Sequence, residues 1–161
     1  MKRITATAIG VVLAAGLAIA SPQSTATDLV QRYYATTTEA DLAATWNDWH
    51  PDATHHIEVK TGMKDGDFAF SYAMSDWENL PDWTEDPEIM EAMKGYEETS
   101  RSDPDLTIST NGSDTIVTAQ SKVGYVWDGY KGKMSQTDRF TITKVAGRAV
   151  IRDLKTLYDY R

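Results

Sequence analysis

Thr115-Ile116-Val117-Thr118-Ala119-Gln120-Ser121-Lys122-Val123-Gly124-Tyr125-Val126-Trp127, with Asn111-Gly112 before it and Asp128-Gly129 behind, is the stretch that decides the fold. β-Branched and aromatic residues dominate it, and such side chains suit the pleated, half-buried surface of a strand. Asn-Gly and Asp-Gly supply the positive φ angles that tight hairpins demand. The same pattern repeats downstream. A loop holding Asp128-Gly129 and Lys131-Gly132 leads to a run at 134–145, and Ala146-Gly147 leads to another at 149–158. With a short run at 106–110 in front, these residues predict four consecutive strands in an antiparallel meander, two of them long enough to curl strongly. Val117, Ala119, Ser121, Val123, Tyr125 and Trp127 share one face of the central strand, because side chains alternate along it.

Upstream the hydrophobic period changes from two to 3.6. Thr27-Asp28 offers a capping hydroxyl and an acid, and Leu29, Val30, Tyr33 and Tyr34 recur at helical spacing. Thr36-Thr37-Thr38 stops this helix, since β-branched residues with competing hydroxyls favour caps and turns. Thr38-Glu39-Ala40-Asp41 is similar to a capping box. Leu42, Trp46 and Trp49 then make a stripe on a second short helix, which His50-Pro51 ends. Residues 54–61 alternate as a strand containing Ile57 and Val59; Lys64-Asp65-Gly66-Asp67 turns the chain into a weaker strand at 68–74. A loop at 75–85 anchored by Trp77 and Trp83 follows. Asp86-Pro87-Glu88 opens a third helix carrying Ile89, Met93 and Tyr96, with Pro104 as its far limit.

Met1-Lys2-Arg3, an uncharged run rich in Ala, Val, Leu and Ile, and Ala18-Ile19-Ala20 before Ser21 follow the order of an export signal. Thr5, Thr7, Gly10 and Gly16 interrupt the apolar run, which favours cleavage over a retained membrane anchor. The expectation is a signal at 1–20 cleaved after Ala20, a flexible leader at 21–26 and one domain at 27–161, placed in the periplasm or outside the cell. The chain has no Cys, which excludes disulfides, thiolate catalysis and thiolate metal sites together. Its formal charge is −8, and loss of Lys2 and Arg3 brings it to about −10. Such a surface repels phosphate backbones and anionic lipid heads, so neither nucleic acid nor membrane is an expected partner. Five Trp, eight Tyr and three Phe are available to build the core in place of disulfides.

Three segments carry a resemblance to a known superfamily: Leu29-Val30-Gln31-Arg32-Tyr33-Tyr34; Asp41-Leu42-Ala43-Ala44-Thr45-Trp46 leading into His50-Pro51-Asp52-Ala53-Thr54; and a closing hairpin at 138–160. In this order the chain resembles the nuclear transport factor 2-like, or SnoaL-like, superfamily. The resemblance implies an α+β NTF2-like cone, with N-terminal helices packed in a strongly curved antiparallel sheet, an apolar cavity open at one end, and frequently a homodimer across the sheet. Members include isomerases, dehydratases, epoxide hydrolases and cyclases acting on apolar small molecules, beside non-enzymatic association modules, so a few polar side chains in the cone decide the chemistry. No cofactor is expected: the chain has no phosphate loop, nucleophile elbow or metalloprotease helix.

His50, Asp52, His55 and His56 form the one histidine cluster. His55 and His56 are adjacent on a predicted strand and point to opposite faces, so no metal site is expected there. If Ile57 and Val59 face the cone, His55 faces it too; if they make a dimer interface instead, His56 and Glu58 line the pocket. His55, His56 and Asp138 are the acid–base candidates. Where the ketosteroid isomerase branch places an Asp base this chain has Ile57, and where the scytalone dehydratase branch places an acid it has Thr37 or Thr38. Asp138, Arg139, Arg152 and Asp153 offer the residue types of the epoxide hydrolase branch, but neighbours on a strand point apart and a cross-strand ion pair accounts for them. Asp65-Gly66-Asp67 lacks the further spaced oxygens of a calcium loop.

Tyr34, Trp46, Trp49, Tyr125, Trp127, Phe140 and Tyr158 supply the aromatic lining expected of a ligand-binding cone. Two readings stay open. In one, an exported pocket protein binds a small apolar or aromatic molecule, with isomerase-, dehydratase- or hydrolase-type activity through a strand His and a carboxylate as a further capacity. In the other, a non-catalytic association module docks through the face of Val123, Tyr125 and Trp127. A cavity of roughly a few hundred Å³ favours the first, a filled core the second.

Overall fold

A run of β-branched residues between turn signals has to find partners on both edges, and the four C-terminal runs do so consecutively. In the computed structural model, which describes residues 22–36, 44–79, 87, 91 and 94–161, they are β4 (Asp105–Asn111), β5 (Asp114–Trp127), β6 (Tyr130–Val145) and β7 (Arg148–Asp159), antiparallel in sequence order. They are preceded by α1 (Pro22–Ala35), β1 (Trp49–Lys60), β2 (Phe68–Ala73) and β3 (Tyr96–Arg101). The expected export signal at 1–20 lies outside the described residues, as do Thr37, Thr38, Leu42, Trp83, Ile89 and Met93.

The seven strands form one sheet in the order β2-β1-β7-β6-β5-β3, with β4 also on β5. β5 is long enough to serve two short partners: β4 pairs with its first half and β3 with its second. β1 lies parallel to β7, with Thr54 opposite Asp153 and Val59 opposite Tyr158, so the sheet is mixed. The sheet curves without closing, and α1 packs in its hollow as the predicted cone requires. From α1, Ala26, Leu29 and Val30 meet Val117, Ala119, Phe140, Ile142, Ile151 and Leu154 of the inner face, all of them buried. Phe140 is the hub, with its ring 5.2 Å from Tyr33 and 6.2 Å from Tyr34.

Both long hairpins turn on two consecutive positive φ angles, 48° and 81° at Asp128-Gly129 and 51° and 82° at Ala146-Gly147. These are the angles that match the right-handed twist of the flanking strands. Ala146 holds its conformation against the steric penalty of a β-carbon, which Asn tolerates better. Ala146→Asn is therefore expected to raise stability by about 0.5 kcal/mol, read as a higher urea midpoint at unchanged slope.

Four local expectations need correction. Trp49 is not the last residue of a helical stripe: the chain is helical at Ala44 and Thr45, tightens into a 3₁₀ turn over Trp46–Asp48, and is a strand from Trp49 through His50-Pro51. The proline that stops a helix also suits extended backbone, and the parallel seat beside Ile151 extends β1 backwards to it. Tyr96 is not on the third helix. Pro87 and Glu91 are helical, but Gly95 at φ +75° stops the element and Tyr96 opens β3 opposite Trp127. Helix α1 begins at Pro22, before the capping signal at Thr27-Asp28, and Ala26 in the expected leader is fully buried. Finally, Asp138 and Arg139 do not pair with Arg152 and Asp153. Arg152 bridges Asp114 and Asp153 near the protein surface, while Asp138 faces the interior at 1% exposure.

Candidate functional site

Side-chain alternation on β1 places Ala53, His55, Ile57 and Val59 on one face, and burial of Ala53 and His55 identifies it as the inner one. His55 is therefore the inward histidine. His56 points the other way, 2.7 Å from the Ser71 hydroxyl. Register then carries the inner face across the sheet: His55 stands opposite Tyr72 on β2 and Leu154 on β7, and one step along, Thr156 stands opposite Asp138 on β6.

These neighbours form a continuous hydrogen-bonded chain whose direction is fixed by counting protons. The Thr156 hydroxyl donates to Asp138 Oδ1 at 2.6 Å. Having one proton, it must accept at its 2.9 Å contact with His55 Nε2, so Nε2 carries the imidazole hydrogen. Nδ1 is then the bare nitrogen and accepts from the Tyr72 hydroxyl at 2.7 Å. On its other side Asp138 accepts at Oδ2 from Tyr34 on α1 at 2.5 Å and from the Gln136 amide at 2.7 Å. Gln136 in turn accepts from Arg101 Nη1 at 2.6 Å, and Arg101 is forked onto Glu98. The chain thus runs from buried His55 to the exposed ion pair at the edge of β3.

Burial sets the electrostatics. Removal from water pushes the His55 pKa down to about 4, with His56 nearby adding to the effect, so the imidazole is neutral at pH 7. Desolvation raises Tyr72 to about 12 and raises Tyr34 further, the Asp138 carboxylate assisting in the latter case. Every donor in the chain is thereby held in its protonated form. Each member of it also has a protein partner, and no buried side-chain polar atom among the described residues lacks one.

A roomy hollow lies away from this chain, and neither His55 nor Asp138 is in its lining. A cleft of about 700 Å³ opens where the turn at Ala146 approaches the start of β1, and it is lined by Trp46, Asn47, Trp49, His50, Pro51, Met74, Ser75, Val145, Ala146, Arg148 and Val150. Trp49 belongs both to the lining of this cleft and to the core beside the polar chain. Its indole lines the cleft on one side and sits 6.1 Å from the Tyr33 ring on the other, and Tyr33 packs 5.3 Å from Tyr34, the partner of Asp138. A smaller, polar depression of about 260 Å³ lies at the junction of β3 and β4 beside Asp103, Asp105 and Lys122.

The expected aromatic lining is consequently divided. Trp46 and Trp49 line the cleft, Tyr34 and Phe140 belong to the core, and Tyr158 stands beside Gln136 in register. Tyr125 and Trp127 gather at the opposite end of β5, where Tyr96 stacks 5.7 Å from Tyr125 and meets Trp127 edge-on, and Tyr160 closes the group. Tyr125 lies across Gly132 in the space a β-carbon would take. Sequence reasoning missed Tyr72, Thr156, Gln136 and Arg101 in the chain, and Met74, Arg148 and Val150 in the cleft. Thr156 could have been found, since it keeps the parity of Leu154 and Tyr158, but its partner Asp138 is visible only in the register. Among the described residues no group of three or more acidic or histidine side chains is placed to hold a metal ion.

Comparison with solved structures agrees with the fold. The CaMKII hub of S. rosetta superposes at a TM-score of 0.54 over 85% of this chain and 96% of that one, at 14% identity. The β subunit of the benzoate 1,2-dioxygenase of Burkholderia mallei superposes at 0.50 over 83% and 88%, at 10% identity. An NTF2-like protein from Cytophaga hutchinsonii gives 0.49 over 86% and 98%, at 7% identity. No family model matches the sequence. No curated protein matches it. The chain has the NTF2-like fold: one long helix, among the described residues, in the hollow of a seven-stranded curved sheet.

Proposed function

We propose that this domain is an exported binding module for a small, largely apolar or aromatic molecule, held in the cleft between Trp46, Trp49, Met74 and the β6–β7 hairpin. The cleft carries the reading: about 700 Å³ of space with two indoles and aliphatic walls, set with a few polar groups at His50, Asn47, Ser75 and Arg148. That is the size and composition of a ligand pocket. The polar chain argues for binding over catalysis. A general acid or base must come within about 3 Å of the atom it serves. His55 and Asp138 are 9% and 1% exposed, already hydrogen-bonded to protein partners, and not among the residues that line the cleft. They act as a spine that holds α1, β1, β6 and β7 in register beneath the cleft.

Trp46 is 39% exposed, so truncating it leaves the core intact. Trp46→Ala is expected to weaken any ligand about tenfold, the worth of one lost aromatic contact, at an unchanged melting temperature of the free protein. Titrating tryptophan fluorescence against a panel of aromatic and polycyclic compounds makes the test. If no member of the panel binds the wild-type protein, the cleft is not a ligand site.

A further inference from the structure

Four of the six described arginines are matched to carboxylates: Arg32 to Asp48, Arg101 to Glu98, Arg152 to Asp114 and Asp153, and Arg161 to Asp159. Arg139 and Arg148 have no ion pair among the described residues. Arg139 is exposed on the outer face of β6, flanked by the inward Asp138 and Phe140. Arg148 is different, because it stands at the wall of the aromatic cleft. In a chain of net charge −8, carboxylates to neutralise it are plentiful, yet none among the described residues is paired with it.

We infer that the cleft selects a small aromatic carboxylate, its ring against Trp46 and Trp49 and its carboxylate on the guanidinium of Arg148. This rests on the binding reading above and adds the charge of the ligand to it. A guanidinium is charged at every accessible pH and presents paired donors that match the two oxygens of one carboxylate. Arg148 is exposed at the rim, where it can meet a carboxylate entering from solvent, while the buried Met74 and Val150 give the ring an apolar wall beside it. A dianionic phosphate fits less well: the lining holds one arginine, no lysine, and His50 as its only other basic group. The position of Arg148 is firm, since it begins β7 directly after the two positive-φ residues of the turn and stands opposite Val145 in register.

The test compares naphthalene-2-carboxylate with naphthalene-2-carboxamide, equal in shape and different in charge, by calorimetry on the purified protein. The carboxylate is expected to bind about tenfold tighter, the worth of one charge-assisted contact. Arg148→Gln should bring the carboxylate to the affinity of the amide while leaving the amide unchanged, and Lys155→Gln, which removes a positive charge from an exposed site on β7, should preserve the preference. Equal affinities in the wild type, or a preference that survives Arg148→Gln, overturn the inference and leave ligand binding standing. Absence of binding by both compounds and by the wider panel overturns the binding reading and this inference with it.

Discussion

Asp138→Ala is expected to destabilise the protein by about 4 kcal/mol, whereas Asp138→Asn should cost only about 1 kcal/mol. The alanine leaves three donors facing a void: the Tyr34 hydroxyl, the Gln136 amide and the Thr156 hydroxyl, at a position 1% exposed. Each unsatisfied buried donor carries a desolvation penalty of about 1–3 kcal/mol, partly relieved where a side chain can turn to water. The asparagine is tolerated because the chain can run backwards. Its carbonyl takes the place of Oδ2 and still accepts from Tyr34 and Gln136, while its amide donates to Thr156. Thr156 then turns its own proton to His55 Nε2, and the imidazole hydrogen moves to Nδ1 to be donated to Tyr72. Urea unfolding measures the energies, and ¹⁵N shifts of the His55 ring report the tautomer. An alanine variant within 1 kcal/mol of wild type, or an unchanged tautomer in the asparagine variant, would show that the chain does not act as one unit.

Stability should also fall by about 3 kcal/mol as pH drops from 6.5 to 4. His55 has a folded pKa near 4 against about 6.5 for an exposed histidine, so in this window the unfolded chain binds a proton that the native state refuses. A depressed folded pKa gives a contribution that is complete above the unfolded value and lost as pH falls towards the folded one. The cause is burial first and His56 second. The groups facing the ring, Tyr72 and Thr156, remain uncharged throughout, and Asp159, which Arg161 holds at about 2, titrates below the window. His55→Gln should be less stable at pH 7 but lose most of the slope. Parallel urea melts at pH 7 and pH 4.5 decide it, and a slope that persists in the variant assigns the effect to another group.

Why the meander was legible and the site was not follows from the range of the signals. Asn111-Gly112, Asp128-Gly129 and Ala146-Gly147 mark hairpins by local backbone angles, so β4, β5 and β7 could be read to within a residue from sequence, whereas β6 begins at Tyr130, four residues before the expected run, because Lys131-Gly132 belongs to the strand and not to a loop. Parity on one strand likewise narrowed the inward histidine to a choice between His55 and His56, and burial of Ala53 and His55 resolved it. The polar chain depends on which strands are neighbours. Thr156 meets His55 because β1 lies beside β7, a pairing across about a hundred residues that no local pattern encodes. The cleft depends on the same pairing, which draws Trp49 into a strand beside Ile151 against its helical spacing and brings Trp46 to the Ala146 turn. Tyr96 shows the converse, a residue in phase with a helix that Gly95 had already ended.

That parallel seam also governs the order in which the molecule can assemble. The hydrogen bonds of the four-strand meander close through neighbouring hairpins, with α1 left to cover the inner face, but β1 and its partner β2 have no bed until Arg148–Asp159 is in place. Contacts of such long sequence separation are slow to form, because the loop entropy is lost before the pairing rewards it. A growing chain therefore holds the β1–β2 pair without its parallel neighbour until Arg148–Asp159 has emerged, and only then does the cleft acquire its walls.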